Sequence, residues 1–279
     1  MTTQRHTAQL DGLELSYLEA GSGPPVLLLH GWPTQAALWR HVLPVLGRTH
    51  RAIALDLPGF GQSAKPLDAS YSFRFYDRAI SALLEHLGID RIGLVLHDLG
   101  GPVGLHWAVH HAEQVRELVL LNTLVFPEMS RAVKVFIAAT YLPGVRTALS
   151  SPWGVEQAMK FGVVDKRQIT PQVAELYRAP FRTRSARQAL LKAGHGLHPK
   201  GFETISSGLT QFKDTPALLL YGEADSILPD VAHTMDRVQA VLPKAQRQSI
   251  PECGHFLQED RPAEVARAIG DFFGALPQP

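Results

Sequence analysis

Two rhythms of apolar and polar positions take turns along the chain. LELSYLEA (13–20) alternates with a period of two and predicts a strand. VLLLH (26–30), RAIALDL (51–57), RIGLVLH (91–97) and VRELVLLNT (115–123) are almost unbroken apolar runs, the pattern of strands covered on both faces. Between them, FRFYDRAISALLEHLG (73–88) carries apolar residues at helical spacing and stops at Gly88. GGPVGLHWAVHHA (100–112) predicts another helix, and HGWPTQAALWRHVLPVL starts as a loop and turns helical. GSGPP (21–25) and PGFGQS are turns. Strand and helix alternate, which predicts an α/β fold with a mostly parallel sheet and helices on both faces.

The rhythm changes at 124–213. That segment holds helical stretches such as SRAVKVFIAATYL and SARQALLKAG, punctuated by Pro143, Pro152, Pro171 and Pro180, and no buried strand. The pattern resumes with PALLLYGEAD (216–225), a helix through AHTMDRVQAVL, a strand at QRQSI and a closing helix AEVARAIGDFF. The expected organisation is therefore a core of 1–123 and 214–279 interrupted by a helical lid at 124–213. Of the lid's apolar residues, Phe126, Val133, Phe136, Ile137 and Phe161 are expected to line a small dry pocket.

Charge adds one refinement. The chain of 279 residues carries a net +1, which gives no reason to expect a nucleic-acid partner. The lid segment holds 13 Lys/Arg against 5 Asp/Glu, and the rest of the chain 14 against 21. This asymmetry reads first as solvated helix faces and second as an attraction for anionic substrates or surfaces. The single Cys253 permits no internal disulfide and fits a reducing compartment. The N-terminus lacks an apolar run of signal-peptide length, and no stretch approaches the roughly 20 apolar residues needed to span a bilayer. A cytoplasmic protein, monomeric or homodimeric, is expected.

The stretch LVLHDLGGPVG (94–104) brings in chemistry. A buried strand runs into a tight turn and straight into a helix, with Asp98 at the apex. Gly100 and Gly101 leave room where a Cβ would strike neighbouring backbone. An apex residue of this kind projects above the C-terminal edge of the sheet, where open α/β sheets bind ligands. Asp98 alone could be a helix cap, but a cap explains neither the glycines nor the partners downstream. YGEADSILPD places Asp225 just past a strand end, and ECGHFLQEDRP places His255 in a loop before the last helix. Asp230 lies further past that strand, and Asn122, at another strand end, cannot carry a charge. The backbone N–H groups of Trp32, in HGWP, and of Leu99 can form an oxyanion hole above the elbow.

Taken together, these motifs resemble the α/β-hydrolase superfamily over nearly the whole chain. HDLGGPVGL resembles the haloalkane dehalogenases and epoxide hydrolases, whose nucleophile is aspartate, and HGWPT, DLPGFGQSAKP, YRAPF and GHFLQED resemble the dehalogenase branch. The resemblance implies an α/β-hydrolase fold with Asp98 as nucleophile, His255 as base and Asp225 as its orienting acid. It implies no cofactor; water and a small apolar substrate are the partners, with halide as a product. Dehalogenases hold the halide with ring or amide N–H donors, one usually a Trp directly after the nucleophile. Here that residue is Leu99, which has no such donor; the indole of Trp32, or secondly of Trp153, is the substitute. Epoxide hydrolases use two lid tyrosines, for which Tyr141 and Tyr177 are available. A ligand-binding, non-hydrolytic member of the fold is the third reading. His97 reads as a packed or hydrogen-bonded residue, and His110 and His111 as helix-surface residues. No His/Cys/Asp/Glu cluster shows metal-ligand spacing. PGFGQS lacks the third glycine of a dinucleotide fingerprint.

Overall fold

In the computed structural model, residues 2–128 and 131–276 are described, without the side chains of 131, 132 and 136. Among the described residues the sheet has eight strands: β1 (Gln4–Leu10), β2 (Leu13–Ala20), β3 (Pro25–Leu29), β4 (Arg51–Asp56), β5 (Ile92–Asp98), β6 (Val115–Thr123), β7 (Ala217–Gly222) and β8 (Gln246–Ile250). Their order is β1-β2-β4-β3-β5-β6-β7-β8. The β1–β2 and β2–β4 pairs are antiparallel, and the other neighbours are parallel.

The unbroken apolar runs have a direct cause. Leu27, Leu29, Ile53, Leu55, Leu94 and Leu96 enter one core; their neighbours Val26, Leu28, Ala52, Ala54 and Val95 enter the other. Successive side chains of a strand point to opposite faces, so a strand between two cores needs an apolar residue at every position. Each fully buried Leu or Ile stabilises the fold by about 1.5 to 3 kcal/mol. On the first face pack helices α2 (Phe73–His86) and α3 (Gly100–His110); on the second, α1 (Leu43–Leu46) and a late helix, Pro262–Gly274. The edge strand β1 is an addition to the sequence reading. Its QRHTAQL is no more than half-buried along its length and carries no apolar alternation to announce it.

Between β6 and β7 the chain passes through α4 (Arg131–Ala139), α5 (Pro143–Leu149), α6 (Pro152–Gly162), α7 (Pro171–Arg178), α8 (Arg184–His195) and α9 (Pro199–Gly208). After β7 come α10 (Val231–Val241), the short α11 (Leu257–Asp260) and α12 (Pro262–Gly274). The prolines that punctuate the lid sequence open helices: Pro143, Pro152 and Pro171 stand at first positions, where no amide hydrogen is needed. Ser151 and Thr170 cap α6 and α7 through their side chains.

Two acids of GHFLQED tie these helices to the core. Glu259 on α11 receives Arg40, with Nη2 at 2.7 Å, and the hydroxyl of Tyr177 on α7. Asp260 receives the amides of Val164 (2.8 Å), Asp165 (3.1 Å) and Gly254 (2.7 Å). One buried carboxylate thus fixes both the lid chain after α6 and the loop that carries His255. Among the described residues no helix is long and apolar enough to cross a membrane.

Candidate active site

Asp98 ends β5 and stands in the left-handed region, with φ +49°. That conformation costs a non-glycine residue about 1 kcal/mol and persists because its surroundings fix it. A Cβ on Gly100 would lie 2.5 Å from the carbonyl oxygen of Leu29, so only glycine lets α3 start this close to β3. Thr123 donates its hydroxyl to the Asp98 carbonyl at 2.7 Å and locks the backbone of the turn. A Cβ on Gly31 would in turn lie 2.2 Å from Asp98 Oδ1, so the β3 loop must pass over the carboxylate as bare backbone.

That approach brings the amide of Trp32 to 2.6 Å from Asp98 Oδ1, and the Leu99 backbone amide beside the carboxylate helps to hold its pKa down. The second oxygen, Oδ2, faces His255 Nε2 across 3.4 Å, an ion-pair contact rather than a well-aligned hydrogen bond. On its far side His255 Nδ1 meets Asp225 Oδ2 at 2.8 Å. Asp225 is held in turn: Oδ1 accepts from the amides of Ile227 and Leu228, both at 2.7 Å, and Oδ2 from Asn122 Nδ2 at 2.6 Å. Asn122 is thus a brace for Asp225. Its own Oδ1 accepts from the Gly222 amide at 3.0 Å, while Asp230 lies at the start of α10.

Burial disfavours charge on all three groups, but their mutual attraction is stronger. Despite burial, Asp225 and then Asp98 push the His255 pKa up to about 10. Burial alone would raise both carboxyls, and His255 instead holds them below the usual range. The resting site is therefore an imidazolium between two carboxylates. His97, one residue before Asp98, behaves in the opposite way. Its Nε2 is 2.9 Å from the carbonyl oxygen of His255, to which it donates, and burial pushes its pKa down to about 4. The unfolded chain protonates this ring near 6.5 and the folded chain only near 4. Stability from His97 is accordingly present above pH 6.5 and lost as pH falls from there through about 4, by about 3 kcal/mol in all. In urea unfolding at a series of pH values, His97→Gln should flatten this part of the profile. The carboxylates Asp98 and Asp225 act at lower pH, below 3.8.

Over the elbow lies a cavity of about 660 Å³. Trp32, Asp98 and Leu99 form its floor, and Val133, Ile137, Trp153 and Phe161 line it from the lid. Phe126 does not line it; it packs beneath the Arg237 guanidinium, 3.7 Å from the ring centre. The side chain of Phe136 lies outside the described residues.

Three of the leaving-group readings need correction. The Trp32 indole donates to the carbonyl of Leu190 at 3.2 Å, so its ring spans to α8 while its backbone amide serves Asp98. Tyr177 is fully buried against Glu259 and Arg40, away from the cavity, because α7 turns that face toward α11. Tyr141 is 63% exposed and stacks on His195 with ring centres 4.4 Å apart. Trp153 does line the cavity.

Other residues emerge only from the folded chain. Thr140, Gln157, His195 and Ser226 bring polar atoms to the cavity wall, with Thr140 and His195 hydrogen-bonded to each other across 55 positions. Asp56 accepts from the amides of Ala36 (2.7 Å) and Gln62 (3.0 Å) and from Arg5 (2.7 Å), fixing the loops after β3 and β4. The reading that no cluster has metal-ligand spacing is also revised: one ligand atom each of Asp77, His106 and His110 lies within 4.8 Å of the others.

Known proteins similar to this chain agree with the fold. The α/β hydrolase fold family matches residues 24–262. A cis-3-alkyl-4-alkyloxetan-2-one decarboxylase of Shewanella oneidensis is 30% identical over 96% of this chain and 88% of its own length. Haloalkane dehalogenase 2 of Mycobacterium tuberculosis is 31% identical over 93% and 91%. Among solved structures, the haloalkane dehalogenase DbeA of Bradyrhizobium elkani superposes with a TM-score of 0.83 at 26% identity, covering 99% of this chain and all of that one.

Proposed function

This chain belongs to the α/β-hydrolase fold family, in the branch that holds haloalkane dehalogenases and epoxide hydrolases, and from that membership we propose that it works through an ester formed on Asp98. The proposal rests on one observation. A carboxylate on a left-handed elbow has one oxygen held by the Trp32 backbone amide and the other directed at a buried imidazole.

The chemistry follows from that division. Oδ1 is held, so Oδ2 attacks a saturated carbon in the cavity; the new C–O bond forms as the carbon–leaving-group bond breaks, and the leaving group takes the electron pair. No base is needed, because Asp98 is already ionised. Ester formation removes the Asp98 charge, one of the two that raise the His255 pKa. The imidazolium then releases its Nε2 proton to solvent, and the neutral ring can act as base at Nε2. It takes a proton from water, and the resulting hydroxide attacks Asp98 Cγ. The negative charge moves to Oδ1, where the Trp32 amide already points and the Leu99 amide is the second proposed donor; a donor of this kind typically contributes about 3 to 4 kcal/mol. Collapse expels the alcohol oxygen, which takes the proton back from His255, and the new Asp98 carboxyl passes its own proton to the freed imidazole, so that carboxylate and imidazolium are both restored.

Such a site suits leaving groups that depart as stable anions. We assign carbon–halogen hydrolysis of a small apolar substrate as the first reading, with the Trp153 indole on the cavity wall as the ring donor to the departing halide. Epoxide opening produces an alkoxide and calls for a proton donor; Tyr177 donates its hydroxyl to Glu259, and Tyr141 stacks on His195 rather than standing among the cavity-lining residues. A second reading is ring opening of a 3,4-dialkyl oxetan-2-one, favoured by the decarboxylase relative; its leaving group, a carboxylate, also needs no proton.

A substrate panel decides between them. Halide release from short bromo- and iodoalkanes is the expected result, slowed in Trp153→Phe mainly through kcat. Turnover confined to the oxetan-2-one, with release of carbon dioxide, would replace the first reading by the second. Turnover confined to styrene oxide would overturn both.

A further inference from the structure

We propose that Asp77, His106 and His110 form a site for a divalent transition-metal ion on the outer side of the core, where α2 meets α3. His106 and His110 are four residues apart on α3, so they share one face of that helix. Asp77 comes from α2, and one ligand atom of each residue lies within 4.8 Å of the others.

The surroundings prepare these groups to bind metal. His110 Nδ1 is 2.7 Å from the backbone carbonyl oxygen of His106. Donation of its hydrogen there fixes the tautomer and leaves the lone pair on Nε2, as outer-shell bonds do for metal-bound histidines. His106 is held flat against Phe73, with ring centres 4.5 Å apart, and its Nδ1 meets Asp77 Oδ2 at 2.8 Å. The other Asp77 oxygen is buried and has no hydrogen-bond partner. A cation between Asp77 and His106 replaces their shared proton and satisfies that oxygen as well. His110 supplies the third ligand from the exposed side, and water can complete the shell. Two imidazoles and a carboxylate suit zinc, nickel or copper rather than calcium or magnesium. Asp98 is twelve residues from His110 along the chain, so the two ends of α3 are separated by about 15 Å or more. The ion therefore clamps α2 to α3 and takes no part in the reaction at the elbow.

Chelator-stripped protein titrated with zinc chloride in a calorimeter tests the site. One zinc ion per chain is expected, with a raised melting temperature. His110→Ala and Asp77→Asn should each weaken binding about tenfold or more and leave turnover unchanged. His111→Ala is the control, since His111 stacks on Trp107 at 4.6 Å on a different face. Absence of saturable one-to-one binding overturns the proposal. So does binding that survives the Asp77→Asn/His110→Ala double substitution, or that falls equally in His111→Ala. Because His110 is exposed, its replacement leaves the fold intact and the outcome readable.

Discussion

Asp98→Asn should lose turnover by about 10⁴-fold or more while the protein keeps its fold. Asparagine is the substitution that isolates charge from shape. It tolerates a positive φ better than most residues, so the elbow at +49° survives. Its carbonyl oxygen can still accept from the Trp32 amide. What it lacks is a nucleophilic oxygen facing His255, and an amide nitrogen does not displace a leaving group from saturated carbon. A second effect separates this explanation from simple damage. Asp98 is one of the two anions that raise His255 to about 10, so its neutralisation must lower that pKa. The imidazole of the wild type contributes stability that is complete below 6.5 and disappears as pH rises through about 10. In Asp98→Asn that alkaline loss should be smaller and complete at a lower pH, and NMR titration of the His255 ring should show the same downward displacement of its pKa. Undiminished turnover would remove Asp98 from the reaction. Multiple turnovers in H₂¹⁸O give an independent check: hydrolysis at Cγ leaves heavy oxygen in the Asp98 carboxylate, whereas a protein that only binds its ligand acquires none.

The strand–helix frame and the elbow were legible in the chain for a physical reason. β3 to β6 lie between two cores, so both of their faces must be apolar, and runs such as VLLLH display that requirement directly. Gly100 and Gly101 mark a place where backbone crosses side chain at contact distance, and a tight turn after a buried strand has few other solutions. The places of Asp225 and His255, just past a strand end and in a loop before the last helix, then suggested them as partners, and the structure joins Asp225 to His255 and His255 to Asp98. The direction of the lid side chains was not legible. Tyr177 sits in a helical pattern that fits either the cavity or α11, and Glu259, 82 positions away, decides the matter. Trp32 likewise turns its indole to a carbonyl of α8, a partner 158 positions distant. β1 left no trace because an edge strand can stay polar. The Asp77–His106–His110 trio shows the same limit from the other direction: the spacing of the two histidines is visible, but the third ligand is supplied only when α2 packs on α3.

Replacement of His255 by glutamine should convert a catalyst into a protein that reacts once. The first step requires only the ionised carboxylate, so one equivalent of leaving group should appear in a burst. Water must then attack Asp98 Cγ, and glutamine cannot accept its proton. Steady turnover falls by about 10⁴-fold, and the ester accumulates. Intact-mass analysis should show the mass of the transferred alkyl group, and digestion should place it on the peptide that contains LVLHDLGGPVG. Asp225 limits the structural damage. Breaking a buried ion pair costs about 3 to 5 kcal/mol when it strands a charge, but Asp225 retains three donors in Ile227, Leu228 and Asn122. The variant should therefore unfold at a lower urea concentration and still bind substrate. The decisive feature is the separation of the two steps. If His255 instead activated water for direct attack on the substrate, its loss would remove the burst along with the turnover, and no adduct would form. A burst of one equivalent with an alkyl mass on Asp98 is compatible only with an imidazole that becomes a base after the nucleophile has lost its charge.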